Sequence, residues 1–344
     1  MPPDARGLRR DTGEFRSDRP RPVNPGPFSI GTAEASPADR LSACADLLAC
    51  PECGGPLAAE PHTLRCPHGH TFDIARQGYV SLLTGASTKM TGDTPDMLDA
   101  RARFQAAGHF EPIATALARA ARRGHRPGGP GATATAFSAG RLAGLLLAAD
   151  EPRSHGTGVL EIGAGTGYYL AAVLDALPGA RGIALDVSKP AVKRSARAHG
   201  RAGAVLADAW RGLPVRDGAM GLVLSVFAPR NADEVARVLT GDGRFIVVTP
   251  TARHLSELVG PLEMVRVDSA KQERLTESLG GRFELLDRTE VEYPMPLTHA
   301  DIAAVAGMGP SAFHAAADRS ERIAALPDPL PVTAAVTVSS YRRR

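Results

Sequence analysis

A chain of 344 residues with 43% hydrophobic and 22% charged side chains has room for one large core and a smaller satellite domain, in the proportions of a soluble globular protein. A formal charge of +3 is too mild to argue for a nucleic-acid partner by itself, and no apolar run reaches the roughly 20 residues of a membrane span, so no membrane role is expected. Four cysteines, three of them close together and behind no signal peptide, suit a reducing, cytoplasmic setting better than a disulfide framework.

In chain order, residues 1–40 are rich in Pro, Gly, Arg and Asp without apolar periodicity, and read as a disordered tail whose arginines and acids nearly balance. Residues 41–85 hold "CPECGGPLAAEPHTLRCPHGH", where Cys50 and Cys53 form a CxxC pair and Cys66 and His70 a CxxxH pair. A tetrahedral zinc site needs four such donors from two tight turns, and Pro51, Gly54, Gly55, Pro67 and Gly69 favour those turns. Four protein ligands close the site, so the expected role is structural: the segment has too few apolar residues to fold without metal. His68 is an alternative fourth ligand and Cys44 a weaker substitute. A redox reading of CxxC lacks a thioredoxin-like context and leaves the second pair without a purpose.

Residues 86–157 read as a helical linker. "DTPDMLDARARFQAAGHFEPIATALARAARR" predicts two helices broken near Gly108, and the Gly/Pro-rich stretch around 124–158 reads as an insertion or connector. From residue 158 to 344, "GVLEIG", "GIALDV", "AVLADA", "GLVLSVF" and "GRFIVVTP" alternate with helical stretches, which predicts a doubly wound α/β domain. "FELLDRTEVEYPM" and "VTAAVTVSSYR" flank a helical insertion at about 299–325 and would add an antiparallel pair, giving a seven-stranded sheet.

"VLEIGAGTGYYL" puts Gly163, Gly165 and Gly167 between the first strand and a helix, where a backbone without side chains can approach a ligand. Position 168 is Tyr, so the spacing is GxGxG and the dinucleotide fingerprint fails. Asp186 ends the second strand, where a carboxylate can accept ribose hydroxyls, and Asp208 ends the third, within reach of an adenine amino group. Alone, Asp186 would only cap the helix after it. Together, Glu161, the three glycines, Asp186 and Asp208 resemble the S-adenosylmethionine site of class I (Rossmann-like) methyltransferases.

Across most of the chain, "CPECGGPL", "LRCPHGHTFDIARQGYVSLL", "DTPDMLDARARFQAAGHFEPI", "VLEIGAGTGYYLAAVLDALP", "LDVSKPAVKRSARAH" and "VFAPRNADEVARVLTGDGRFIVVTPTARHLSELV" resemble the 23S rRNA (guanine-N1)-methyltransferases in sequence and order. That group includes housekeeping enzymes and macrolide-resistance methyltransferases of the tylosin type, and "VFAPRN" resembles its Gram-positive branch. The resemblance implies methyl transfer from S-adenosyl-L-methionine to N1 of a guanine in a domain II hairpin loop near the peptide exit tunnel. It also implies Zn2+, a 23S rRNA partner and a homodimer. The tail and the Gly/Pro-rich insertion depart from the pattern without touching a motif.

N1 lies on the Watson–Crick edge, so the guanine must leave its loop to reach a pocket, and its proton must be removed. Phe227 follows the fourth strand and can stack on the base; His254 follows the fifth and can orient the base or accept its proton. Arg230, Arg253 and "ARRGHR" at 121–126 are candidate phosphate contacts. Two other readings stay open on the sequence: a small-molecule methyltransferase, and a zinc-dependent RNA-binding protein without catalysis.

Overall fold

The computed structural model describes residues 35–85, 88, 90, 92–124, 157–266, 279–309 and 318–344. Residues 1–34 and 125–156, which carry most of the expected tail and of the Gly/Pro-rich insertion, lie outside them. Regular structure starts before the tail boundary expected at residue 40. Ser36 and Asp39 form a reciprocal capping box at helix α1 (Pro37–Ser42), and Leu41 is fully buried. The reason is the Ser-Pro start and a leucine with an apolar surface to cover.

Strands β1 (Ala58–Glu60), β2 (Thr63–Arg65) and β3 (Thr71–Asp73) form a three-stranded antiparallel sheet, and β4 (Tyr79–Ser81) follows. Helix α2 (Pro95–Ala106) starts where the Thr94 hydroxyl accepts the Met97 N–H at 3.3 Å, with Pro95 in its first turn. Gly108, at φ +82°, separates α2 from α3 (Glu111–Gly124), so the expected pair of helices is present.

The rest alternates as predicted: β5 (Gly158–Ile162), α4 (Tyr168–Ala176), β6 (Arg181–Asp186), α5 (Lys189–Ser195), β7 (Ala202–Leu206), β8 (Met220–Val226), α6 (Ala232–Val238), β9 (Leu239–Pro250) and α7 (Ser256–Val259). Strand β10 (Phe283–Leu297), helices α8 (His299–Gly307) and α9 (Arg319–Ala324), and β11 (Leu330–Arg343) complete the chain. Every residue of β5 and β7 is buried, as in a parallel sheet covered on both faces.

The main sheet runs β10-β11-β9-β8-β5-β6-β7-β4. It therefore has eight strands and not the expected seven. All seven are present, and the eighth, β4, comes from the cysteine segment and pairs parallel with β7, Tyr79 opposite Ala204 and Ser81 opposite Leu206. Three residues inside a turn-rich segment give no periodicity, and a parallel partner so far along the chain leaves no local signal.

Two apolar layers flank the sheet. On one side Phe104, Ile113 and Leu117 of α2 and α3 pack with Leu170, Val173, Ile246 and Ile302. On the other, Leu41, Leu48, Leu57 and Leu64 join Leu160, Leu185, Val205, Val215 and Phe245. Ala49 N–H donates to Pro214 O at 3.1 Å, and Arg181 pairs with Asp46 at 2.7 Å. The cysteine segment is thus also a structural layer of the α/β core. Among the described residues no helix is long and apolar enough to cross a membrane.

Candidate active site

Strand order reverses between β5 and β8, so the crevice that binds ligands in such a sheet opens at the carboxyl ends of these strands. Gly163, Gly165 and Gly167 sit there at φ +69°, +55° and +79°. At Gly163 and Gly167 an added Cβ would lie 2.7 Å from Ala228 Cβ and 2.6 Å from Ala198 Cβ, so the loop has no room for side chains. Gly165 N–H donates to Asp186 Oδ2 and Ser188 N–H to Asp186 Oδ1, both at 2.8 Å. Asp186 therefore ties the glycine loop to the start of α5, and the lone pairs it keeps can still accept hydroxyls. Asp208 Oδ1 accepts the Trp210 N–H at 3.0 Å and Oδ2 the Thr88 hydroxyl at 2.6 Å.

Glu161 lies beneath the loop, 1% exposed, and accepts the Leu170 N–H at 3.0 Å, closing the first turn of α4. Burial pushes its carboxyl up to about 8 from 4.5. A raised folded-state value means stability that is full below about pH 4.5 and lost as pH rises through about 8. The melting temperature should thus fall between pH 5 and 8.5, and Glu161→Gln should flatten that decline. Parallel thermal-denaturation profiles for the two chains would contradict this.

The segment between the cysteines and α3 straps this crevice, which the sequence reading missed. Thr88 holds Asp208, Ser188 Oγ donates to Asp93 O at 2.7 Å, and Thr166 Oγ1 donates to the buried Gln105 Oε1 at 2.7 Å. The Arg101 guanidinium covers Gly165 and pairs with Asp93 at 2.5 Å. Arg101 and Gln105 are four residues apart on one helix face, which is the signal that could have marked them.

Beside the loop stands an aromatic wall. Phe227 adopts φ +54° directly after β8 and is 42% exposed, although a bulky residue at positive φ is strained. Its ring stacks with His254 at 5.8 Å and 22°, and Phe110 and Tyr169 lie 6.3 and 6.4 Å away. The Tyr169 hydroxyl is buried without a hydrogen-bond partner among the described residues. His254 Nδ1 accepts the Ala335 N–H at 3.2 Å, so Nε2 carries the proton, and burial lowers the imidazole to about 4. In this tautomer His254 is a neutral donor, which suits the first of its two expected roles, orienting the base, better than the second, accepting its proton. Glycine cradle, acids at successive strand ends and an orphaned buried hydroxyl together fit S-adenosylmethionine.

At the other motif, the donor atoms of Cys50, Cys53, Cys66 and His70 all lie within 4.8 Å of one another. Cys53 and Cys66 Sγ are 3.8 Å apart, and His70 Nδ1 is 3.5 and 3.3 Å from Cys50 and Cys66 Sγ. A tetrahedron with metal–sulfur bonds of about 2.3 Å has edges of about 3.8 Å, so this donor set can hold zinc. His68 is outside this group, and Cys44 is buried elsewhere, its thiol donating to Gly182 O at 3.6 Å.

The candidate phosphate contacts fare differently. Arg253 pairs with Glu292 at 2.9 Å, Arg123 pairs with Asp287 at 2.9 Å, and Arg230 is half-buried against Ala228 O at 3.4 Å. His125 and Arg126 of "ARRGHR" lie outside the described residues. A cleft of about 540 Å³ between the cysteine turns and the 3-10 helix Ala209–Arg211 is lined by Arg211, Arg216 and Arg237 but equally by Asp208, Asp217 and Glu234. Its balanced charge does not mark it as a phosphate groove.

Comparison with known proteins places both halves. Residues 48–87 match the RlmA N-terminal zinc-ribbon family, and residues 159–243 a methyltransferase-domain family. A Micromonospora griseorubida protein named as a 23S rRNA (guanine-N(1)-)-methyltransferase is 49% identical over 305 residues, covering 86% of this chain and 97% of that one. The 23S rRNA (guanine(748)-N(1))-methyltransferase of Streptomyces fradiae is 43% identical over 296 residues, covering 86% and 96%. A Bacillus subtilis protein of the same named class is 30% identical over 215 residues, covering 61% of this chain and 66% of that one. The class I fold, the Cys3His cluster and identity along nearly the whole length of two relatives agree: the chain belongs to the family of 23S rRNA (guanine-N1)-methyltransferases, with S-adenosyl-L-methionine and zinc as cofactors.

Proposed function

We propose that this protein methylates N1 of a guanine in a domain II hairpin loop of 23S rRNA, beside the exit tunnel where macrolides bind. The observation that carries the reading is the joining of a Cys3His cluster and a glycine-and-acid ladder on one core, with relatives named for this reaction. In it, Cys50, Cys53, Cys66 and His70 hold zinc, and Glu161, Gly163, Gly165, Gly167, Asp186 and Asp208 form the cofactor site. The cysteine layer presents the hairpin, and the everted guanine enters over β8. When bound, S-adenosylmethionine supplies the electrophilic methyl group.

Phe227 stacks on the base, and its strained, exposed position at the sheet edge supports this. The His254 Nε2–H donates toward the guanine carbonyl oxygen, which holds N1 in line for transfer. The N1 proton passes to water in the same reaction, because the His254 Nδ1 that could take it accepts from Ala335 N–H instead. Such a site serves RNA in the cytoplasm, and no feature of it favours the small-molecule or the non-catalytic reading.

Base–aromatic stacking contributes about 1–3 kcal/mol, so Phe227→Ala should lower kcat/KM for rRNA by roughly 10- to 100-fold with cofactor affinity unchanged. A loss of cofactor affinity of the same size would contradict a base-stacking role. The target itself is tested by primer extension on treated 23S rRNA, because a methyl on N1 blocks Watson–Crick pairing. A new stop at one domain II loop guanine is the expected result; stops elsewhere only would refute the assigned target.

A further inference from the structure

Along the carboxyl edge of the sheet, Asp208, Asp186, the glycine loop and Phe227 end β7, β6, β5 and β8, adjacent strands about 4.8 Å apart. With adenine and ribose at the two aspartates, the amino-acid end of the cofactor would lie over β5, between ribose and target base. That end carries a carboxylate, and the fixed acid side chains around the loop, Glu161, Asp186 and Asp93, offer it no positive charge.

The cation that reaches this place comes from the strap. Arg101 Nη1 lies 2.7 Å from the position a Gly165 Cβ would take, so the guanidinium rests on the loop itself. Asp93 holds Nη1 at 2.5 Å, and the Met308 carbonyl at the end of α8 accepts from Nη2 at 2.9 Å. These contacts fix the plane of a group with five N–H donors and engage two of its nitrogens, which leaves donors to offer. In the first turn of α4, directly after the glycine loop, the buried Tyr169 hydroxyl has no partner among the described residues.

We infer that Arg101 binds the cofactor's methionine carboxylate, closing the helical strap α2 onto the glycine loop. The assignment rests on the cofactor site and not on the identity of the RNA target. A charge-assisted, forked contact of this kind changes affinity by about 10- to 100-fold.

The test is isothermal titration of the full chain with S-adenosylmethionine and with decarboxylated S-adenosylmethionine, which keeps the ammonium group and lacks only the carboxylate. The native chain should prefer the carboxylated ligand by about 10- to 100-fold, and Arg101→Gln should bind both alike, at the level of the decarboxylated one. Equal affinity of the native chain for the two ligands would overturn the proposal without any variant. An equal loss for both ligands in Arg101→Gln would also overturn it, since that marks a support of the loop and not a carboxylate contact. Absence of binding of either ligand to the native chain would overturn the cofactor site and this assignment with it.

Discussion

A Cys53→Ser chain is expected to purify without stoichiometric zinc and to melt in one transition far below that of the native protein. Methyl transfer to 23S rRNA should fall by at least about 100-fold. Structural zinc contributes binding free energy of about 10–16 kcal/mol in isolated fingers, as large as the whole 5–15 kcal/mol of a typical domain. In this fold that loss cannot stay local. Leu48, Leu57 and Leu64 share a core with Leu160, Val205 and Phe245, and β4 is bonded to β7, whose end carries Asp208. Calorimetry with metal analysis checks this: a separate low-temperature transition beside an unchanged main one would contradict a shared core.

Gly163→Ala should weaken S-adenosylhomocysteine binding by about 30- to 1000-fold. Residue 163 stands at φ +69°, where a Cβ costs about 1–2 kcal/mol. That Cβ would also lie 2.7 Å from Ala228 Cβ, so one of the two backbones must move. Neither can move freely: Gly163 and Ala164 N–H both donate to Leu185 O, at 2.8 and 3.1 Å, and Ala228 adjoins Phe227. The displacement therefore reaches the cofactor loop and the aromatic wall together. Titration within threefold of the native value would show that the loop is not the cofactor's seat.

Much of this arrangement was legible in the sequence because its signals are local. Apolar runs marked seven strands, apolar spacing and Gly108 marked the strap helix and its end, and acids at strand ends marked the ladder. What was not legible depends on partners far away in the chain. Strand β4 needs β7 to exist as a strand, and Arg101 and Gln105 look like ordinary helix surface until Gly165 and Thr166 lie beneath them. The bond from Ala335 N–H to His254 Nδ1, which fixes the ring's tautomer, has no local signal either. The pairing of Arg253 with Glu292 on β10, 39 residues away, likewise left no local signal. The zinc ligands were readable because their spacing is itself the constraint, while the burial of the same segment against the sheet was not.

The most direct measurement of the central claim is transfer of a labelled methyl group from S-adenosylmethionine to unmethylated 23S rRNA, with nuclease digestion and mass spectrometry of the nucleosides. The site described here predicts label in 1-methylguanosine and in no other nucleoside. Label in a different nucleoside, or none from a chain that binds the cofactor and holds its zinc, would contradict it.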